Sequence, residues 1–178
     1  MYDIAIIGGG PAGIAGGVYA SRKQLKTLFI TDEWGGQSSV STEIQNWIGT
    51  VAISGIEFAQ TLKKHLLAYA EGVVDIKENE RATLIEKSEK GFTITTSKGS
   101  YETKTVLVAS GARRKKLKAV GAAEFEMKGV VYCASCDGPL FCDMDVAVIG
   151  GGNAAFESAA QLLAYAKSVT LLHHSPEF

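Results

Sequence analysis

Two glycine-rich turns of one pattern, set roughly 140 residues apart, constrain this chain more than any other feature of it. The first, Gly8-Gly9-Gly10-Pro11-Ala12-Gly13, follows the apolar run Asp3-Ile4-Ala5-Ile6-Ile7. The second, Gly150-Gly151-Gly152-Asn153-Ala154-Ala155, follows Asp145-Val146-Ala147-Val148-Ile149. A short apolar run that ends at glycines reads as a buried parallel strand. In the G-x-G-x-x-G pattern Gly8 permits the tight turn, Gly10 lets a pyrophosphate approach the backbone, and Gly13 brings the helix close to the strand. The helix N-terminus then offers unpaired N–H groups and a partial positive charge, worth about 0.3–1 kcal/mol per favourable anion contact. A single set of glycines could simply mark a strand-to-helix turn. Gly150, Gly152 and Ala155 repeat the pattern as G-x-G-x-x-A, and two copies predict two dinucleotide-binding βαβ starts.

Between the turns the pattern predicts an ordered series of elements. A helix runs from Pro11, where the missing N–H is harmless, to about Arg22, with Ala12, Ala15, Val18 and Tyr19 on its inner face. Leu25 to Ile30 is the second strand. Asp32 and Glu33 follow Gly13 by about 20 residues, the spacing of a ribose-binding carboxylate. Trp34-Gly35-Gly36-Gln37 opens a polar loop to Ile48-Gly49, long enough to be functional or disordered. Ser54-Gly55-Ile56-Glu57 is a capping box starting a helix to about Tyr69, with Ala59, Leu62, Leu66 and Tyr69 as its buried stripe and His65 on the solvated flank. Val73 to Lys77, Ala82 to Lys87, Phe92 to Thr96 and Tyr101 to Ala109 read as short strands, the last ending in a fully apolar, central-strand run. After Ile149 a helix to about Ala166 and a returning strand, Val169 to Leu172, complete the pattern.

Cys133-Ala134-Ser135-Cys136-Asp137-Gly138 lies just ahead of the second turn. C-x-x-C spacing holds two sulfurs close enough to form and break a disulfide, and exchange needs a thiolate with a pKa below the free value of about 8.5. Asp137, an anion, cannot lower that value and is better suited to move a proton. The alternatives are an inert pair, or half of a zinc site completed from Cys142, His173 and His174, at spacings unlike a zinc ribbon or finger. Cys142 itself reads as a small buried hydrophobe. Three cysteines, two of them close together, suggest a working pair in a reducing compartment. A net charge of −1 gives no pointer to nucleic acid or an acidic membrane surface. The run Arg113-Arg114-Lys115-Lys116-Leu117-Lys118 has no interleaved aromatics, so it reads as a solvated linker between two lobes. With no signal-like start and no long apolar span, the expectation is a soluble cytoplasmic protein with no membrane partner.

These motifs, together with Gly35-Gly36-Gln37, Asn46-Trp47-Ile48-Gly49 and Ala109-Ser110-Gly111-Ala112, closely resemble those of bacterial-type (low-molecular-weight) thioredoxin reductases and the related flavoprotein reductases that serve peroxiredoxins. The resemblance spans essentially the whole chain. It implies an α/β fold: an FAD-binding, Rossmann-like doubly wound domain with a small antiparallel β meander over residues 1–112, then the start of an NAD(P)-binding, Rossmann-like domain carrying the C-x-x-C over 113–178. FAD would sit on Gly8, Gly10, Pro11, Ala12 and Gly13, with Asp32 and Glu33 at its ribose. Gly36, Gln37 and Asn46 would lie near the flavin, and Ala109 and Gly111 would close over it. NADPH would bind Gly150, Gly152, Asn153, Ala154, Ala155 and His173. By the same likeness Cys136 faces the flavin, Cys133 attacks the partner protein and Asp137 is the acid/base. The implied function is electron transfer from NADPH through FAD and the dithiol to thioredoxin, within a homodimer. Thioredoxin lies at about −270 mV, so a dithiol of similar potential reduces it nearly isoergonically.

The sequence departs from the family in two places. Family members continue for well over a hundred residues past the position of Phe178, so the chain reads as C-terminally truncated, and the edge after Val169 to Leu172 is expected to be unstable or covered by another chain. At His173-His174-Ser175, NADPH-using relatives carry arginines suited to a 2′-phosphate. This favours, as the alternative, an NADH-dependent reductase of a peroxiredoxin or other thioredoxin-like protein. A non-catalytic nucleotide-binding fragment is the reading from a different class.

Overall fold

The computed structural model describes residues 1–112 and 115–175. It divides into two compact units, Met1–Arg113 and Arg114–Phe178. The basic pair Arg113-Arg114 at that junction, and Pro176 to Phe178, lie outside the described residues.

The first unit has strand β1 (Tyr2–Gly9), helix α1 (Pro11–Arg22), β2 (Thr27–Trp34), a short 3-10 turn (Gly36–Val40), α2 (Gly55–Leu67) and strands β3 (Val74–Glu78), β4 (Ala82–Ser88), β5 (Gly91–Thr96) and β6 (Ser100–Val108). All six strands form one sheet in the order β3-β2-β1-β6-β5-β4. β1, β2, β3 and the second half of β6 run parallel; β4, β5 and the first half of β6 form an antiparallel meander. The mixed α/β, Rossmann-like fold follows from β1 and β2 being apolar on both faces. Ile6 and Phe29 face the helices, in a core with Ile14, Val18 and Leu66. Ala5, Leu28 and Ile30 face the other way and pack on Ile94 of the meander.

Several expected details change. The sheet-facing side of α1 is Gly13, Ile14, Gly17, Val18 and Ser21, whereas Tyr19 is 69% exposed and Ala12 and Ala15 point outward. Apolar periodicity misses this face because it is built from missing side chains: a Cβ on Gly17 would meet Leu66 and Phe29. β2 begins two residues later than expected and extends through Asp32 and Glu33 to Trp34. In α2 the capping box forms as expected: the Glu57 N–H donates to Ser54 Oγ, and the Ser54 N–H donates to the Glu57 carboxylate. Its buried stripe includes Phe58 and excludes Tyr69, because the helix stops at Leu67 and Tyr69 lies under the Arg22 guanidinium instead. His65 is exposed. The strand expected at Val73 to Lys77 joins the parallel part of the sheet beside β2, leaving three strands for the meander.

The second unit contains α3 (Ala134–Asp137), a 3-10 turn (Gly138–Phe141), β7 (Asp145–Ile149), α4 (Asn153–Leu162) and β8 (Ser168–Leu172). β7 and β8 pair in parallel, Asp145 with Ser168 through Ile149 with Leu172. No described helix is long and apolar enough to cross a membrane.

Candidate functional site

The first glycine turn is a tight joint between three strands. Gly8 has φ +121°, and a Cβ there would strike the Ala109 carbonyl at the end of β6. Gly13 leaves no room for a Cβ against the Gly8 carbonyl, so α1 starts as close to β1 as backbone allows. The Gly35 N–H donates to the Gly9 carbonyl at 2.8 Å, and the Ala109 N–H to the Ile7 carbonyl at 2.9 Å. These bonds bring Gly8 to Gly13, Gly35, Gly36 and Ala109 together, with Gly36 beside the Gly10 Cα. Asp32 and Glu33 stand exposed at the end of β2. Gln37 is exposed on the 3-10 turn that follows, and Gly111 is exposed just past β6. Asn46 lies further along, in a shallow surface pocket lined by residues 45–51, where Trp47 packs edge-on to Phe58 at 4.7 Å.

Both turns suit a diphosphate. The N-caps Gly10 and Gly152 provide no side chain to their helices, and neither first turn holds an acidic residue. First-turn N–H groups are thus left for an anion, with no carboxylate repelling it. A Cβ on Gly10 would meet only the Gly35 carbonyl at 4.0 Å, and one on Gly152 would meet nothing within that range, so a phosphate can reach either backbone. In the second unit Asn153, Ala154 and Ala155 form the first turn of α4. The Gly150 N–H donates to the Leu172 carbonyl at 2.9 Å, and the His173 ring lies directly against Gly151. His173 therefore belongs to this turn, although its ring occupies the space a side chain at position 151 would need.

Cys133 and Cys136 are disulfide-bonded across a Cα–Cα distance of 5.2 Å, with Cys133 as the N-cap of α3. The Cys136 N–H donates to Cys133 Sγ at 3.2 Å and the Asp137 N–H to the Cys133 carbonyl at 2.9 Å. Cys133 and Asp137 are half-buried while Cys136 is exposed. The Tyr132 hydroxyl, one residue upstream, accepts the Leu117 N–H at 3.0 Å. Cys142 is a correction: it is exposed and free, because the 3-10 turn of residues 138–141 carries it to the surface beside Asp143 instead of under α4. Among the described residues no group of three or more His, Cys, Asp or Glu side chains is placed to hold a metal ion.

Contacts around Asp32 and Trp34 escaped sequence reasoning. The Arg81 guanidinium lies 3.9 Å from the Asp32 carboxylate. The Lys63 ammonium sits 4.7 Å over the Trp34 ring and 2.9 Å from Glu78, and this cation holds the Glu78 carboxyl below its usual range. Glu80 is buried and accepts hydrogen bonds from the Thr96 and Tyr101 hydroxyls. No short-range pattern announces these pairs, since each joins segments far apart in sequence.

The profile of one protein family, pyridine nucleotide-disulphide oxidoreductase, matches residues 2–178. The chain is 40% identical over 177 residues to the F component of alkyl hydroperoxide reductase from Staphylococcus epidermidis and 38% identical over 177 residues to an NADH dehydrogenase of Bacillus subtilis. Each alignment covers 99% of this chain and 34% of the relative, so the chain spans about a third of those proteins. Among solved structures it superposes on thioredoxin reductase from Streptococcus pyogenes with a TM-score of 0.88 at 37% identity, covering 100% of this chain and 57% of that one. Thioredoxin reductase from Giardia duodenalis gives 0.91 at 29%, covering 99% and 57%. Membership implies FAD and a nicotinamide nucleotide as cofactors. A match over nearly the full sequence, with both glycine turns and the cysteine pair in place, makes this chain a member of the pyridine nucleotide-disulphide oxidoreductase family.

Proposed function

We propose that the protein to which this chain belongs is a flavin-dependent disulfide reductase that passes electrons from NADPH to thioredoxin or a thioredoxin-like protein disulfide. The observation that carries this reading is the Cys133–Cys136 bond on a turn that packs against α4, the helix that the second glycine turn opens. Gly8, Gly10, Pro11, Ala12 and Gly13 would hold the FAD diphosphate, with Asp32 or Glu33 at the ribose and Gly36, Gln37, Asn46, Ala109 and Gly111 further along the cofactor. Gly150, Gly152, Asn153, Ala154, Ala155 and His173 would hold the nicotinamide nucleotide. FAD, when bound, supplies two-electron exchange between a nicotinamide and a disulfide.

The chain's own residues do the rest. In the reduced pair, Cys133 attacks the partner's disulfide, one partner sulfur leaves as a thiolate, and a mixed disulfide forms. Cys136 then attacks Cys133, restoring the internal bond and releasing the second partner sulfur. Asp137 carries the proton that the leaving thiolate needs. The protein would act in the cytoplasm as a homodimer. A second reading, an NADH-dependent reductase of a peroxiredoxin-type partner, is supported by the 40% identity to the F component of alkyl hydroperoxide reductase and by the absence of arginine at residues 173–175.

The test is spectroscopic. The FAD-loaded protein should lose its visible flavin band on adding NADPH, and comparison with NADH separates the two readings. Cys136→Ser should keep that bleaching and lose turnover with a protein disulfide; surviving turnover would remove the dithiol from the mechanism.

A further inference from the structure

We propose that Gln161, on α4, is a positioning residue for the cysteine pair, acting through Ser135. This rests on the reading of Cys133 and Cys136 as a redox dithiol. The Ser135 hydroxyl, between the two cysteines, donates to Gln161 Oε1 at 2.7 Å. Three residues on, Gly138 is buried against Leu162 and Tyr165, so the C-terminal end of α4 grips the cysteine turn at two points. Inside the turn, the Cys136 N–H points at Cys133 Sγ.

In the oxidised protein the S–S bond itself enforces that N–H···S contact. Reduction by a dithiol breaks the bond: two electrons and one proton enter the pair, leaving one thiolate and one thiol, while the reductant becomes a disulfide and releases its other proton to water. The covalent tie is then gone. What still holds residues 134–136 in a helical turn, with the Cys136 N–H aimed at sulfur, is the Asp137 N–H bond to the Cys133 carbonyl within the turn and, from α4, the Ser135–Gln161 bond and the packing of Gly138. The sulfur that accepts this N–H is Cys133, so the clamp keeps the negative charge there and the proton on Cys136. A hydrogen bond at the surface adds little to folding stability, so a purely structural role would leave the sulfur chemistry unchanged.

The test is the pH dependence of alkylation of the dithiol-reduced protein, with the first-labelled cysteine identified by peptide mass. In the wild type, with the exposed free Cys142 blocked before reduction, Cys133 labels before Cys136. Gln161→Leu is expected to shift the Cys133 profile upward by about one pH unit, a tenfold slower reaction at neutral pH. Ser135→Ala, which deletes one oxygen and carries the test if the α4 variant folds poorly, should give the same shift. The double variant should add nothing further, and Ser135→Thr, which keeps the hydroxyl, should retain the wild-type profile. An unshifted profile in Gln161→Leu or Ser135→Ala overturns the positioning role. If a dithiol releases no thiols from the pair at all, the redox reading itself fails, and that result is distinct from an unshifted profile.

Discussion

The two glycine turns share a sequence pattern and sit in very different surroundings. The first lies in a six-stranded sheet whose β1 and β2 are covered on both faces, with Ile6, Phe29 and Leu66 fully buried. The second lies on a two-stranded sheet whose helix buries little beyond Ala155 and Leu162, and Ile149, Phe156 and Leu172 are each about half exposed. The third position of the motif differs accordingly. Gly13 admits no side chain against the Gly8 carbonyl, whereas Ala155 carries its methyl into the corresponding space. The geometry that suits a diphosphate is therefore a local device: a turn, a helix start with no side-chain cap, and open space above Gly10 or Gly152. Stability is not local, because a parallel pair needs cover on both faces.

The largest expected contrast is in core substitutions. Phe29→Ala should destabilise the first unit by about 3–5 kcal/mol, while Leu162→Ala should cost the second about 2 kcal/mol, the low end for Leu→Ala, since its neighbours can collapse toward solvent. Denaturant unfolding followed by tryptophan fluorescence reads the first unit, because Trp34 and Trp47 both lie there, and hydrogen exchange of peptides from residues 145–172 in the same denaturant series reads the second. Equal losses at the two positions would break the contrast.

A smaller effect separates the units by pH. Burial, and then the hydrogen bond it donates to Asp75, push the Tyr2 hydroxyl up to about 12. Burial also pushes Asp75 up, but the Tyr2 hydroxyl and the Lys77 ammonium outweigh it and hold the carboxylate below its usual range. A raised folded value stabilises fully below the unfolded value near 10 and is lost as pH rises toward 12; a lowered carboxylate stabilises above about 4 and is lost as pH falls through its folded value. The first unit should thus lose stability at both extremes, and Tyr2→Phe should flatten the alkaline arm. In the second unit Lys116 is raised by its hydrogen bond to Glu126, but that pair is exposed and screened by salt. A Tyr2→Phe protein with an unchanged alkaline arm would show that the Tyr2–Asp75 pair contributes nothing.

How much of this was legible in the sequence depended on how far each signal reaches. α1 from Pro11 to Arg22, β7 from Asp145 to Ile149 and the Ser54/Glu57 capping box were readable because a turn, a strand or a cap is encoded within a few residues. The inner face of α1 was not, because Gly13 and Gly17 mark it by absence. The pairing of β3 with β2, the Arg81–Asp32 approach and the buried Glu80 were hidden for another reason: each depends on which distant segments the sheet brings side by side. At the candidate site the cysteine spacing announced a bondable pair, but nothing in it pointed 26 residues on to Gln161. The exposure of Cys142 likewise depends on the turn at residues 138–141, not on the cysteine's own preference for burial.

The most direct measurement counts thiols. The FAD-loaded protein, kept free of oxygen, is mixed with nicotinamide nucleotide, quenched with an alkylating agent and weighed intact. If the cysteine pair takes electrons from the nucleotide, Cys133 and Cys136 gain labels in addition to the already free Cys142. Labelling of Cys142 alone, with the flavin fully bleached, would contradict the account.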